Sequence, residues 1–556
     1  MINLEVSLKK LYPNKYKEAL SQIKELIDTH HVTSLNTKFV SQNDVMVITY
    51  GDSIKKEGEK PLKTLHQFLN KYAYPEVNCL HILPMFPYSS DDGFSVIDYE
   101  EVNQDLGTWD DIKSLSLSYD LMFDAVINHI SMESHWFKKY QKGDPAYDNY
   151  FIECDVNADY HQVIRPRALP LFYPYETSVG EKHLWATFSK DQLDLNYENY
   201  KVLVHVLKVL ALYAKNGSRF IRFDAVGFLW KDKDTTSMHL EQTHLLVKIM
   251  RYVLDQMYPG TIIITETNVP HEENVSYFGK DNDEAHLVYQ FPLPPLTLYS
   301  YISQNATHLS TWASQLEDMP LQSENTYFNF LASHDGIGMR PVENILNQEE
   351  KQLMVDHTIK NDGRIGYKNN PDGSVSPYEL NISYFDAIIN KNDNQETRIN
   401  KFIGAHMILL SMKGMPAIYI HSLIGSRNDI EGMKASGINR RINRKKVDYD
   451  KLKKVLDDSQ SDRHIILNKL INLIHIRKQF DAFDPKAKQD IVIDDPRVFK
   501  MKRLGKTSTI EAYVNVSDET ITIDEVDGFD LLSQKNIENL VLKPYDAKWI
   551  EKKVLI

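Results

Sequence analysis

Short apolar runs rich in β-branched residues recur eight times along the 556-residue chain, at 45–50, 79–86, 121–127, 220–226, 262–265, 287–291, 327–331 and 416–420. Each is followed by Gly, Asp or Asn turn residues and then by a longer stretch of helical spacing, which predicts repeated strand–helix units. Eight such units close a parallel (β/α)8 barrel of the α/β class, whose chemistry gathers at the C-terminal ends of the strands. Ahead of the first run, Leu11, Ala19, Ile23 and Ile27 keep helical spacing with no strand-like alternation, so a helical extension is expected over 1–42 and the barrel over 43–485. The gap between the third and fourth runs holds about ninety residues, far more than one crossover helix needs, and an inserted domain is expected at 130–195. A second insertion is expected at 337–392, where KNNPDGSVSPYELN reads as loop. Beyond residue 482, segments such as VFKMKRL and IEAYVNV alternate with turn residues, which predicts an antiparallel β domain over 486–556.

Composition adds limits. With 42% hydrophobic and 25% charged residues the chain has the makeup of a globular protein. Lys+Arg of 64 against Asp+Glu of 77 leaves 64 − 77 = −13, a field that repels nucleic acid and anionic membranes. Two cysteines, Cys79 and Cys154, are too few for a disulfide scaffold or an all-thiolate metal site and fit a reducing compartment. The start lacks a signal-peptide core, and the most apolar stretch, FIGAHMILLSM, is too short to span a bilayer. A soluble cytoplasmic protein is expected, with oligomeric state left open.

The strand ends carry the chemistry. MFDAVINH delivers Asp124, Asn128 and His129, IRFDAVGF delivers Arg222 and Asp224, IIITETN delivers Glu266, and FLASHD delivers His334 and Asp335. One carboxylate at a strand end caps a helix or pairs with a cation; four such ends in one barrel point to a catalytic face. Arg222 and Asp224 are two apart, so they share a strand face, and the guanidinium is expected to lower the Asp224 pKa. Glu266 comes 266 − 224 = 42 residues later with no cation in its immediate sequence, and is expected to stay protonated as a general acid. Two carboxyls in unlike surroundings are the minimal apparatus for glycoside chemistry, set ~5–5.5 Å apart in a retaining enzyme.

DAVINH, RFDAVGF, TETN and ASHD, in this order, resemble the four motifs of glycoside hydrolase family 13, the α-amylase superfamily. The resemblance implies Asp224 as nucleophile, Glu266 as acid/base, and Asp335 holding the sugar hydroxyls of a distorted ring. It implies His129 and His334 on the same hydroxyls and Arg222 orienting Asp224. SSDDGFSVIDY is similar to the segment that bounds the glucose subsite, which implies Asp91 and Phe94 there, and Gln192 joins the substrate-binding set. Within the superfamily, ILPMFPYSSDDGF, RPRALPLF, ASHDGIGM, SPYELNISYFDA and INRRINR resemble sucrose phosphorylase and its relatives, which transfer glucose to phosphate. That likeness runs from about 45 to 482 and implies Arg440 and Tyr378 as phosphate contacts.

Several positions depart from the sucrose phosphorylase pattern: Ser376 and Glu379 replace an Asp and a Gln, Phe228 a Tyr, Asn268 a His, and Arg441 an Asp. The changes strip fructose contacts and add positive charge, which favours an anionic acceptor. TETNVPHEEN, NDEAHLVYQFPLPPL, KNNPDGSVSPYE and INRRINRKK are most similar to the glucosylglycerate phosphorylase branch of this subfamily. The implied reaction is reversible phosphorolysis of 2-O-α-glucosylglycerate to α-glucose 1-phosphate and glycerate. Arg165, Arg167, Tyr378, Glu379, Arg440 and Arg441 are the phosphate or acceptor candidates. Phosphorylases for sucrose, sucrose 6-phosphate or glucosylglycerol stay open as alternatives, followed by an α-glucoside hydrolase and a non-catalytic transporter subunit. No cofactor is expected, since the chain holds no Gly-rich phosphate loop. Some relatives hold calcium near the position of Asn128, but no metal is expected here. The expected partners are the small-molecule substrates alone, with neither nucleic acid nor membrane.

Overall fold

The structure, a computed structural model, describes residues 2–30, 38–167, 169–318, 321–322, 324–369 and 374–552. Parts of the expected N-terminal extension (31–37), of the second insertion (370–373) and of the C-terminal domain (553–556) lie outside the described residues.

Eight parallel strands close a (β/α)8 barrel: β1 (Met46–Thr49), β2 (Cys79–Ile82), β3 (Asp120–Ala125), β4 (Ser218–Phe223), β5 (Ile262–Thr265), β6 (Leu287–Tyr289), β7 (Thr326–Asn329) and β8 (Met415–Tyr419). Each strand pairs with its neighbours in chain order, and β1 closes the ring on β8 with Met46 opposite Ala417. Barrel strands are covered by helices outside and packed side chains inside, so they read as continuous apolar runs rather than alternating ones. All four residues of β1, β2 and β5 are accordingly buried.

Helices α1 (Leu4–Leu11) and α2 (Tyr16–Thr29) form the N-terminal extension. The Asn3 side chain caps α1 by accepting from the Val6 amide at 3.1 Å. Leu4, Leu8 and Leu11 of α1 and Ala19, Ile23 and Leu26 of α2 face inward, packing against the barrel helices Tyr200–Lys215 and Glu241–Met257. After β3, residues His129–Ser131 pair with Gln192–Asp194 in antiparallel fashion, and a hairpin of Phe172–Thr177 with Gly180–Trp185 lies between them in sequence. After β7, Ile337–Gly338, Val375–Asn381 and Arg364–Asn369 make a three-stranded antiparallel sheet. A six-stranded antiparallel sheet follows the barrel, from Lys488–Val492 to Ala547–Lys552. It is tied to the barrel by Arg503, which donates to the carbonyls of Asp484 and Ser411, and by Trp549, whose indole N–H reaches Ser411 Oγ at 2.8 Å. Among the described residues, no helix is long and apolar enough to cross a membrane.

Candidate active site

The chain leaves β4 through Ala225, whose φ of 49° lies in the left-handed region. That turn, disfavoured for a residue with a Cβ, lets Asp224 stand at the barrel rim while its amide still donates to the Ala125 carbonyl at 3.2 Å. Arg222 Nη1 contacts Asp224 Oδ1 at 2.9 Å and also bonds Asp124. His81 Nε2 lies 2.7 Å from the other Asp124 oxygen. Burial works against ionising Asp124, but Arg222 and then His81 outweigh it and hold the carboxyl at about 2.

Glu266 follows β5. Its Oε2 accepts from the Ala225 amide at 3.0 Å and lies 3.9 Å from Arg222 Nη2. Glu266 has no cation in its immediate sequence, but folding brings it near the same Arg222 that serves Asp224. One expectation is corrected here. Arg222 does not leave Asp224 with a depressed pKa: burial raises it, the Glu266, Asp124 and Asp335 charges add to that, and Arg222 opposes from a position shared with Asp124. Burial raises Glu266 as well, with Asp335 adding to the shift. Two buried carboxyls around one shared guanidinium are best served by a single negative charge between them. Arg222 is 3.9 − 2.9 = 1.0 Å closer to Asp224 than to Glu266.

A cavity of about 330 Å³ opens over this pair. On one side it is lined by Asp91, Phe94, His129, Gln192 and His334. Phe94 stacks on His334 with centroids 4.7 Å apart. The Phe94 carbonyl accepts from Gln192 Nε2 at 2.9 Å and is 2.9 Å from His129 Nε2. Burial pushes His334 down to about 3 and lowers His129 as well, so both rings are neutral near pH 7. Asp91 receives Arg167 Nη2 at 2.8 Å; burial opposes its charge, but Arg167 followed by Arg440 and Arg444 keeps it well below the usual carboxylate range.

The rest of the wall carries Tyr378, Glu379, Asn268, Asp335 and Arg440, with Asp335 Oδ2 3.6 Å from His334 Nε2. Arg440 Nη1 lies 2.6 Å from Asp335 Oδ1 and its Nε is 3.1 Å from Glu379 Oε2. Glu379 Oε1 accepts from the Gly336 amide at 2.7 Å. Burial opposes ionisation of Asp335 too, but Arg440 first, then His334 and Arg444, hold it far below its ordinary value. Tyr378 is pushed up to about 12 by burial and then by Glu379, so it is a hydroxyl donor. Two candidates fall elsewhere. Arg441 bonds Asp92 at 2.5 Å and does not line the cavity; the positive charge that it was expected to add there is spent on Asp92. Arg165 is exposed and lines a neighbouring cavity instead.

Comparison with known proteins fits this geometry. The family described as "Alpha amylase, catalytic domain" matches residues 73–359. Glucosylglycerate phosphorylase of Escherichia coli (strain K12) is 42% identical over 94% of both chains, and that of Allomeiothermus silvanus is 45% identical over 92% of this chain and 91% of its own. The chain belongs to the α-amylase family, glycoside hydrolase family 13. A crystal structure of sucrose 6F-phosphate phosphorylase from Thermoanaerobacter thermosaccharolyticum shares the fold, with a TM-score of 0.76 at 24% identity over 92% of this chain and all of that one.

Asn128, near which the resemblance puts calcium in some relatives, is bonded by a lysine. Lys231 Nζ lies 2.8 Å from Asn128 Oδ1 and 2.7 Å from Asp194 Oδ2, and it also bonds the Phe228 carbonyl. Its ammonium occupies the oxygen ligands that a divalent ion would need, so these residues do not fit calcium. Sequence reasoning missed Lys231 and Asp194, which hold the Gln192–Asp194 strand against His129. It also missed His81, hidden in the apolar run CLHI, and Arg444, which pairs with Asp92 at 2.7 Å and donates to the His334 carbonyl at 2.8 Å. An imidazole inside an apolar run is a signal that could have found His81, whereas Lys231 opens the charged stretch KDKD and carries no such signal.

Proposed function

We propose that the chain catalyses reversible phosphorolysis of 2-O-α-glucosylglycerate, giving α-glucose 1-phosphate and glycerate with retention. Asp224 attacks the anomeric carbon while Glu266 donates its proton to the departing glycerate oxygen. The resulting β-glucosyl enzyme is opened by phosphate from the opposite face, and two inversions return the α-anomer. Asp335 and the neutral His129 and His334 hold the glucose hydroxyls. Asp91, fixed by Arg167, and the Phe94 ring bound the far side of the sugar. Arg440 and the Tyr378 hydroxyl bind phosphate; because Asp335 and Glu379 already flank Arg440, the incoming anion meets a guanidinium that is oriented but partly neutralised. Glycerate binds as an anion on the same wall, with Arg440 as its nearest cation.

The observation that carries the acceptor assignment is the likeness to glucosylglycerate phosphorylases over more than nine-tenths of the chain. The test is to incubate the purified chain in phosphate with 2-O-α-glucosylglycerate, sucrose or sucrose 6-phosphate and to assay glucose 1-phosphate and free glucose. Glucose 1-phosphate is expected from glucosylglycerate alone, and Asp224→Asn is expected to lower its rate by at least about a thousandfold. Free glucose without glucose 1-phosphate would make the chain a hydrolase and overturn the assignment.

A further inference from the structure

A second cavity, of about 850 Å³, lies against the first and shares Pro166 and Tyr378 with it. It is about 850/330 ≈ 2.6 times as large, and the reaction proposed above has no use for it. Its position is informative. Asp91, Phe94, His129 and His334, which surround the sugar, are absent from its lining, as are Asp335, Glu379 and Arg440, while Tyr378, the phosphate-contact candidate, lines both. The larger cavity therefore adjoins the site at Tyr378.

Its chemistry differs from that of the smaller cavity. Arg165, Arg340 and Lys368 face Asp159 and Glu343, a local balance of 3 − 2 = +1 on a chain of net charge −13. Arg340 is only loosely committed, with its Nη2 3.6 Å from Glu273 Oε2, while Lys368 bonds Glu343 at 2.5 Å. The remaining lining includes Tyr160, Phe172 and Leu171. Aromatic and aliphatic faces beside a few cations suit a sugar ring that carries an acid group, rather than an inorganic ion that needs only the charges.

We propose that this cavity is an extension of the acceptor site for a hydroxy acid that already bears a sugar, so that the enzyme elongates glycosylated acids. The inference rests on the phosphorylase reading. In the reaction, α-glucose 1-phosphate loses its anomeric C–O bond to phosphate, which takes the Glu266 proton, and the glucosyl group passes to Asp224. A hydroxyl of the bound glycosyl acid then gives its proton to Glu266 and forms the new anomeric C–O bond, releasing Asp224. No oxidant or further reactant is needed.

The experiment supplies α-glucose 1-phosphate with glycerate, 2-O-α-glucosylglycerate or the neutral glucosylglycerol as acceptor, following phosphate release and product mass. Wild type is expected to form a diglucosylated glycerate and to leave glucosylglycerol unextended. Arg340→Ala combined with Lys368→Ala is expected to lower kcat/KM for the glucosylglycerate acceptor about tenfold or more, while kcat/KM for glycerate changes less than twofold. Arg340→Lys, which keeps the charge, is expected to retain most elongation and so separates lost charge from lost folding. Absence of a diglucosylated product, or equal losses with both acidic acceptors in the double variant, would overturn the proposal with the phosphorylase reading intact. Absence of transfer to glycerate as well would bring down both.

Discussion

Lys231→Met removes the ammonium that bonds Asn128 and Asp194, and its cost can be worked from the contacts. The Lys231 and Asp194 side chains are 3% and 0% exposed, with 2.7 Å between Nζ and Oδ2. Methionine preserves most of the apolar stem, so the change falls on the charge. Asp194 keeps hydrogen bonds from the Thr187 amide at 2.8 Å, Thr187 Oγ1 at 2.6 Å and Asn128 Nδ2 at 3.2 Å but loses its only ion-pair partner among the described residues. Leaving a buried carboxylate without a cation costs about 3–5 kcal/mol. Asp194 is paired in register with His129, and Gln192 with Ser131, so the same change disturbs two sugar-side residues. The expected outcome is a loss of about 3 kcal/mol or more in urea unfolding at pH 7, together with a fall in kcat/KM. Adding Asp194→Asn to Lys231→Met removes the stranded charge while keeping the amide oxygen for Thr187, and should recover at least about 2 kcal/mol. A Lys231→Met variant within about 1 kcal/mol of wild type, or a double variant no more stable than the single, would refute the reasoning.

Further outcomes follow from the titrating groups. Catalysis needs Asp224 ionised and Glu266 protonated, and burial raises both. The pH profile of kcat/KM should therefore be a bell, falling on the alkaline side as Glu266 loses its proton; Glu266→Gln assayed with α-glucosyl fluoride, which needs no proton donor, should lose that alkaline limb. Buried His334, His406 and His421 are pushed down to about 3, 4 and 3, so the unfolded chain takes up these protons before the folded one. Stability from these three rings is complete above pH ~6.5 and is lost as pH falls from there toward about 3; a Tm unchanged between pH 7 and pH 5 would contradict this. Arg477 is fully buried and donates to the carbonyls of Leu410, Gln42 and Phe483. Arg477→Met orphans all three acceptors and is expected to destabilise by several kcal/mol, measurable as a lowered urea midpoint.

Local pattern carried much of the architecture because a barrel strand buries both faces and so marks itself as an apolar run. The same reasoning explains where it overreached. The run at 79–86 is apolar apart from His81, yet the strand ends at Ile82; Leu83, Met85 and Phe86 are buried loop residues, and hydrophobicity reports burial rather than backbone conformation. The strand-end chemistry was legible because each motif is contiguous: Asp224 lies two residues from its own orienting arginine, and Glu266 ends an unbroken β-branched run.

What the sequence determined by itself was thus the barrel and the order of its strands, which follow from short-range periodicity and spacing; the groups expected at its rim came from contiguous motifs and the family resemblance they carry. Charge balance was decided only by the tertiary structure. Lys231 meets Asn128 across 103 residues and Arg444 meets Asp92 across 352, separations at which no spacing rule operates. Arg440 and Arg441 are adjacent in the chain, yet one enters the cavity and the other turns to Asp92. The pKa of Asp224 likewise depends less on its neighbour in sequence than on burial and on three other carboxylates brought to the same rim. Electrostatic energy depends on distance and burial in space, and folding sets both.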